Sequence, residues 1–317
     1  MPEGDTVWRT AHALHAALAG HILIHTDFRV PRLATVDLSG RKVHEVVPRG
    51  KHLLTRVEGG LTLHSHLGME GSWRLAPSSR ARTGGGTEAG ADSGPDSAAG
   101  ADSAAGSGPR TPPEPRLSGS GGPAHQIRAI LVTDTHTVTG YRLPLLELLR
   151  TTEESHAVGH LGPDLLGPDW DAAEAERRLL QDPERPLAEA LLDQRNLAGI
   201  GNVYAAELCF LARTSPWAPV GSLTPPLPAR LLTVAKRLLE ANKERTVRRT
   251  TNGHRRDRNL AVYGREHRPC HRCGTPVRTG RYGPPERSRT IWYCPHCQPS
   301  PAPRPPGARG TGTRHTN

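Results

Sequence analysis

The sequence predicts an α+β chain of several parts: an N-terminal helix with a β-sandwich, a helical middle domain and a small cysteine-stapled hairpin near the C-terminal end. Three observations carry that expectation. Short strand-like runs separated by turn residues fill the stretch from His21 to Leu75 and resume at Gln126. Helical signals dominate from Pro144 onward. Four of the five cysteines stand in two close pairs, Cys270/Cys273 and Cys294/Cys297, and Cys209 stands alone. At 317 residues the chain is long enough for about two cored domains.

Taken in order, Asp5 or Thr6 can cap a first helix, whose apolar face is Val7, Ala11, Leu14 and Leu18 and whose stop is Gly20. Strands are then expected at Ile22–Val30, Lys42–Val47, His52–Val57, Leu61–His66 and Ser72–Leu75. Ser39-Gly40, Pro48-Arg49-Gly50 and Gly59-Gly60 supply the turns. Residues 78–123 are Gly, Ala, Ser, Pro and Asp with almost no large apolar side chain. Such a stretch buries too little to offset its chain entropy and reads as a disordered insertion within one domain. Gln126–Thr133 and Thr135–Tyr141 would complete the sheets, closing a domain over 1–142. Helices are expected at Pro144–Arg150, Glu153–Val158, Asp171–Leu180, Leu187–Leu192, Asn202–Leu211 and Leu227–Asn242, which gives a helical domain over 143–263. A small module over 264–298 and a Pro-, Gly- and Arg-rich disordered tail over 299–317 follow.

Formal net charge is +10, and it is not spread evenly. Lys243–Cys297 holds 14 Lys and Arg against 4 Asp and Glu, and the remainder is neutral. A positive field gathered in one region suits a polyanion. The cysteine spacing is not a secreted disulfide framework, no basic-then-apolar leader opens the chain, and no run approaches ~18 apolar residues. A reduced, cytoplasmic setting at the nucleoid is expected, with no membrane partner. The excess of Arg over Lys with abundant Ala, Gly and Pro points to a high-GC bacterial genome.

Three stretches carry chemistry. Cys270-His271-Arg272-Cys273 and Cys294-Pro295-His296-Cys297 lie 20 residues apart, a spacing that supplies four thiolates to one tetrahedral, structural Zn²⁺. Arg278, Arg281, Arg287 and Arg289 lie between the knuckles, as expected of a zinc-ribbon hairpin that grips phosphates. In Asp193–Tyr204 a helix ends, Gly199 and Gly201 turn the chain, and a new helix starts at Asn202 with free amides for an anion, in outline a helix–two-turn–helix. Glu207 beyond it reads as a surface glutamate that could orient this loop. Lys51, at a turn exit, reads as an ordinary solvated lysine. At the start of the chain, removal of Met1 would leave Pro2 with a free secondary amine, which forms a Schiff base with an electrophilic carbon, and Glu3 beside it could move protons.

In this order, Pro2-Glu3-Gly4, Gly50-Lys51-His52, His66-Leu67-Gly68-Met69-Glu70-Gly71, Gly199-Ile200-Gly201-Asn202-Val203-Tyr204 and the four-cysteine hairpin resemble the formamidopyrimidine-DNA glycosylase / endonuclease VIII family. The resemblance spans nearly the whole chain except 78–123 and the tail. It implies a bifunctional base-excision enzyme, a DNA N-glycosylase with AP lyase activity acting on damaged DNA, as a monomer and on duplex. By that resemblance Pro2 attacks the deoxyribose C1′, and Glu3 is the proton-transfer residue that opens the sugar. Lys51 contacts the phosphodiester beside the lesion, Asn202 grips the same backbone, and Arg289 of the hairpin binds phosphate on the other side. The damaged nucleotide leaves the stack, and the strand is cut by β- and δ-elimination with no diffusible cofactor.

The family divides between oxidised purines and oxidised pyrimidines. Pro2-Glu3-Gly4 leans to the endonuclease VIII-like, pyrimidine branch. So does Thr139-Gly140-Tyr141-Arg142-Leu143-Pro144, where the purine branch carries Asp-x-Arg-Arg-Phe. Asp5-Thr6 departs from the Pro-Glu pair of many members. Met69 and Arg142 are candidates for the wedge into the DNA stack, although Met69 also reads as a packed core methionine. An oxidised-purine glycosylase and a non-catalytic zinc-containing DNA-binding protein are the alternatives.

Overall fold

The first helix, α1 (Gly4–Leu18), buries Val7, Ala11, Leu14 and Leu18 on one face, as its periodicity predicts. Neither Asp5 nor Thr6 caps it. Glu3 holds the cap position without a side-chain bond to the helix, and Asp5 lies in the first turn with its carboxylate committed elsewhere. The structure, a computed structural model, describes residues 2–78, 122–251, 259–284, 286 and 288–299. The insertion and tail expected from composition therefore lie almost wholly outside the described residues.

Two four-stranded antiparallel sheets follow. One orders β1 (His25–Phe28), β6 (Ile127–Val132), β7 (His136–Tyr141) and β5 (Ser72–Pro77). The other orders β2 (Val43–Arg49), β3 (His52–Val57), β4 (Leu61–His66) and β8 (Leu145–Arg150). Leu14 and Leu18 of α1 share one core with Leu53 and Leu63 of the second sheet and with Leu131 and Val138 of the first. This is the predicted sandwich with its helix.

One element differs in kind. Pro144–Arg150, expected as a helix, is the edge strand β8, paired with β4 from Leu61↔Arg150 to His66↔Leu145. Leu and Glu favour helix weakly, and a full ladder with a neighbour outweighs that preference. The strand buries Leu146 in the core, while Glu147 sits on the same strand pair opposite His64. The helical part thus begins after Arg150, not near Leu143.

That part comprises α2 (Glu154–Val158), α3 (Ala172–Leu179), α4 (Leu187–Leu192), α5 (Asn202–Leu211) and α6 (Leu227–Asn242). Asp171 caps α3 by accepting from Ala173 N and Glu174 N. The core gathers Leu187, Leu191, Ile200, Tyr204, Leu208, Leu232 and Leu239, all at most 1% exposed. A third core joins Ala206 and Phe210 of α5 to Val262, Val277 and Ile291, and so seats the hairpin β9 (Arg278–Tyr282)–β10 (Arg289–Tyr293) against α5. No helix among the described residues is long and apolar enough to cross a membrane.

Candidate active site and nucleic-acid interface

The start of the chain runs directly onto the glycine-rich loop. Gly4 N donates to Gly199 O at 2.8 Å. The Glu3 carboxylate, fully buried, accepts from Gly201 N (2.9 Å), Val203 N (2.8 Å) and Tyr204 N (3.3 Å). The anion that the free amides of α5 bind is therefore the protein's own. Gly201 is required here, because a Cβ at that position would lie 2.4 Å from the Glu3 carboxyl carbon. Burial raises the proton affinity of Glu3, and the charges of Arg248 and Lys51 pull against it.

Lys51 faces this carboxylate from the turn between β2 and β3. Gly50 is in the left-handed region at φ 58°, and its N–H donates to Asp164 Oδ2 at 2.6 Å, docking the turn on the helical part. Lys51 is partly buried, not an ordinary solvated lysine. Burial lowers its ammonium pKa to about 8, against the pull of Glu3 and with the help of Arg289 and Arg248. Near neutral pH it is therefore mostly charged.

Asn202 and Arg289 meet through the hairpin. Asn202 Nδ2 donates to Thr290 O at 2.8 Å, and Tyr282 Oη donates to Asn202 Oδ1 at 3.0 Å. Arg289 is the first residue of β10, next to Thr290 and opposite Tyr282, and it is exposed. A continuous chain of contacts thus runs from Glu3 through residues 201–203 to Asn202, Thr290 and Arg289. Pro2, Glu3, Lys51, Asn202 and Arg289 belong to one neighbourhood, although they span 288 positions of sequence. Arg287 lies outside the described residues.

The four cysteines form a separate cluster. All four sulfurs lie within 4.8 Å of one another, with Cys273–Cys294 at 3.4 Å and Cys270–Cys297 at 4.0 Å. A tetrahedral ion with sulfurs at ~2.3 Å separates them by about 3.8 Å, so the cluster fits a metal ion. Glu207 is not a surface residue. It is fully buried and accepts from Thr250 Oγ1, Ala261 N (2.8 Å), Val262 N (2.9 Å) and Tyr263 N (2.9 Å), tying the segment before the hairpin to α5. Met69 is 75% exposed, not packed, on the turn where Arg142 pairs with Glu70 at 2.6 Å.

Two groupings have no motif in the sequence. Asp5 pairs with Arg248 and receives the Tyr204 hydroxyl, three residues far apart in the chain. Glu147, His64 and His52 form a cross-strand hydrogen-bonded chain with both links at 2.8 Å. The strand register that places His64 opposite Glu147 gave no signal in the sequence, since Pro144–Arg150 read there as a helix.

Two family models match the chain: the formamidopyrimidine-DNA glycosylase N-terminal domain over residues 1–97 and the formamidopyrimidine-DNA glycosylase H2TH domain over residues 161–252. A Streptomyces coelicolor protein named "Probable endonuclease 8 2" is 56% identical over 99% of this chain and 100% of its own length. The chain belongs to the formamidopyrimidine-DNA glycosylase family. Within the family it sits on the endonuclease VIII-like branch. The Mycolicibacterium smegmatis "DNA-(apurinic or apyrimidinic site) lyase Nei2" is 44% identical over 94% of the chain and 99% of its own length. A Thermus thermophilus "Formamidopyrimidine-DNA glycosylase" reaches 33% over 94% of the chain and 98% of its own length. The fold agrees as well. A solved Lactococcus lactis Fpg in complex with N7-benzyl-Fapy-dG-containing DNA superposes with a TM-score of 0.70 at 19% identity, covering 94% of this chain and 100% of that one.

Proposed function

We propose that this DNA glycosylase/AP lyase excises oxidised pyrimidines from duplex DNA as a monomer, through a Schiff base on Pro2. Once Met1 is removed, the Pro2 nitrogen attacks C1′ of the damaged nucleotide. The N-glycosidic bond breaks, the base leaves with its bonding pair, and Glu3 moves the proton that opens the sugar at O4′. The resulting iminium acidifies the C2′ protons. Loss of one expels the 3′ phosphate, and a second elimination expels the 5′ phosphate. Lys51 and Asn202 hold the backbone beside the lesion and Arg289 holds it on the other side, which bends the strand around an everted nucleotide. The four cysteines hold a structural Zn²⁺ that stiffens the hairpin carrying Arg289. The enzyme works on the bacterial nucleoid, in the cytoplasm.

The observation that carries this reading is the position of Glu3: a fully buried carboxylate on the amides of α5, one residue from Pro2 and within the field of Lys51. Borohydride reduction with a duplex carrying a lesion is the test. A covalent protein–DNA adduct whose proteolytic fragment maps to Pro2 is expected. Absence of any adduct would leave a DNA-binding protein without this chemistry. An adduct formed equally well by Pro2→Gly would assign the role to a terminal amine and not to proline. Mass spectrometry of the N-terminus must show Met1 removed in the active protein. Duplexes with thymine glycol and with 8-oxoguanine, compared side by side, separate the pyrimidine reading from the purine one.

A further inference from the structure

Arg248 lies in the segment after α6, and no motif in the sequence points to it. Its Nε donates to Asp5 Oδ2 at 2.7 Å, and its Nη2 donates to Asp5 Oδ1 and, at 3.3 Å, to Thr6 Oγ1. Its guanidinium lies 4.9 Å over the Tyr204 ring, and Tyr204 Oη donates to the same Asp5 Oδ2 at 2.9 Å. The pair is shielded, with side-chain exposures of 14% for Arg248 and 3% for Asp5. The segment behind it is pinned as well, since Arg249 N donates to Asn242 Oδ1 at 2.7 Å at the end of α6. A bidentate guanidinium–carboxylate pair with an aromatic face beneath it fixes a charge in direction as well as in place. Tyr204 binds the two acids of the chain start together, because its N–H reaches Glu3 and its hydroxyl reaches Asp5.

We propose that Arg248 is a positioning residue for base excision: clamped by Asp5 and Tyr204, it holds a fixed positive charge beside Glu3. It touches no reacting atom and acts through Glu3. This rests on the reading of Pro2 and Glu3 as the reacting pair. The ion pair does not simply cancel this field, since Arg248 is the largest charge holding the proton affinity of Glu3 down and Asp5 acts weakly in the opposite sense. The other groups facing Glu3 are Lys51 from the β2–β3 turn, Tyr204 from α5, Tyr263 from the loop before the hairpin and Tyr282 from β9.

Two substitutions break the same ion pair but change the field in opposite senses. Arg248→Gln removes a positive charge, so groups near Glu3 hold their protons to higher pH. Asp5→Asn removes a negative charge and keeps an acceptor for Arg248, so they release them at lower pH. Single-turnover base release from a thymine glycol duplex is measured from pH 5 to 9. The pH–rate profile of Arg248→Gln is expected to move upward by about one unit, and that of Asp5→Asn downward by less. Arg248→Lys keeps the charge and is expected to keep the wild-type profile even where its maximal rate falls. Profiles that stay in place, or that move the same way in both variants, would show that the pair is only a mechanical latch and overturn the proposal. If wild-type protein gives no borohydride adduct, the reading of Pro2 fails first. An adduct with unmoved profiles sinks the role of Arg248 alone.

Discussion

Glu3 and Asp5 are two residues apart, both buried, and their acidities are driven in opposite directions. Burial outweighs every nearby charge at Glu3 and raises its pKa above the ordinary 4.5. At Asp5 burial pushes the same way, but the paired Arg248 and the Tyr204 hydroxyl prevail and hold it below 3.8. The consequences for stability have opposite signs. The contribution of Asp5 is complete above its unfolded value and is lost as pH falls through the lower folded one. The contribution of Glu3 is complete below its unfolded value and is lost as pH rises through the higher folded one. In thermal melts, the deficit of Asp5→Asn relative to wild type is therefore expected to shrink toward pH 3. The deficit of Glu3→Gln is expected to shrink, or to reverse, toward pH 7. Glu3→Gln should also slow base excision by about 10²–10⁴-fold, the usual size of a lost proton transfer. Lys51 offers a third measurement. With its pKa near 8, affinity for duplex is expected to fall between pH 7 and 9, and Lys51→Arg should flatten that fall. Fluorescence anisotropy at fixed ionic strength reads it. Pro2, Glu3 and Lys51 could be singled out as candidates from the sequence because each sits in a short motif that resembles the family's. Arg248 was not, since its partners lie 243 and 44 residues away and meet it only in the folded chain.

Among the elements, α5 concentrates the most constraint. Its first amides hold Glu3, its second turn carries Glu207, and its far end packs Phe210 under the hairpin. The sequence places this helix without error because Gly199 and Gly201 mark its start and an apolar run fills it. It does not reveal that Glu207 is the buried tie for Thr250 and for residues 261–263, since a glutamate inside a helix is usually solvated. Glu207→Ala would leave three backbone amides and a hydroxyl without their acceptor. A loss of about 3 kcal/mol or more is expected in chemical denaturation. The strand β8 teaches the complementary lesson. Its leucines lean weakly to helix, and only the ladder with the partner strand β4 overrides that preference. For the hairpin, Cys273→Ser is expected to lose the metal and to weaken duplex binding about tenfold or more, read by metal content and anisotropy on the same sample.

For the whole molecule, the two sheets, the helices and the hairpin were legible as separate parts, and the order of their motifs foretold the family. What the sequence could not display is how firmly the parts are joined. Gly4 bonds to Gly199, Gly50 to Asp164, and Asn202 to Thr290, so each part meets its neighbour through a backbone atom, with a specific donor and acceptor. Asn202 is the most exposed to consequence. Both polar atoms of its amide are engaged by the hairpin, one through the Thr290 carbonyl and one through the Tyr282 hydroxyl. A graft that brought in a hairpin from a relative without matching these three positions would leave that amide unanswered, and the contact that fixes the start of β10, with Arg289, against Asn202 would be lost. Hybrid enzymes built from this chain should be cut so that positions 202, 282 and 290 travel together.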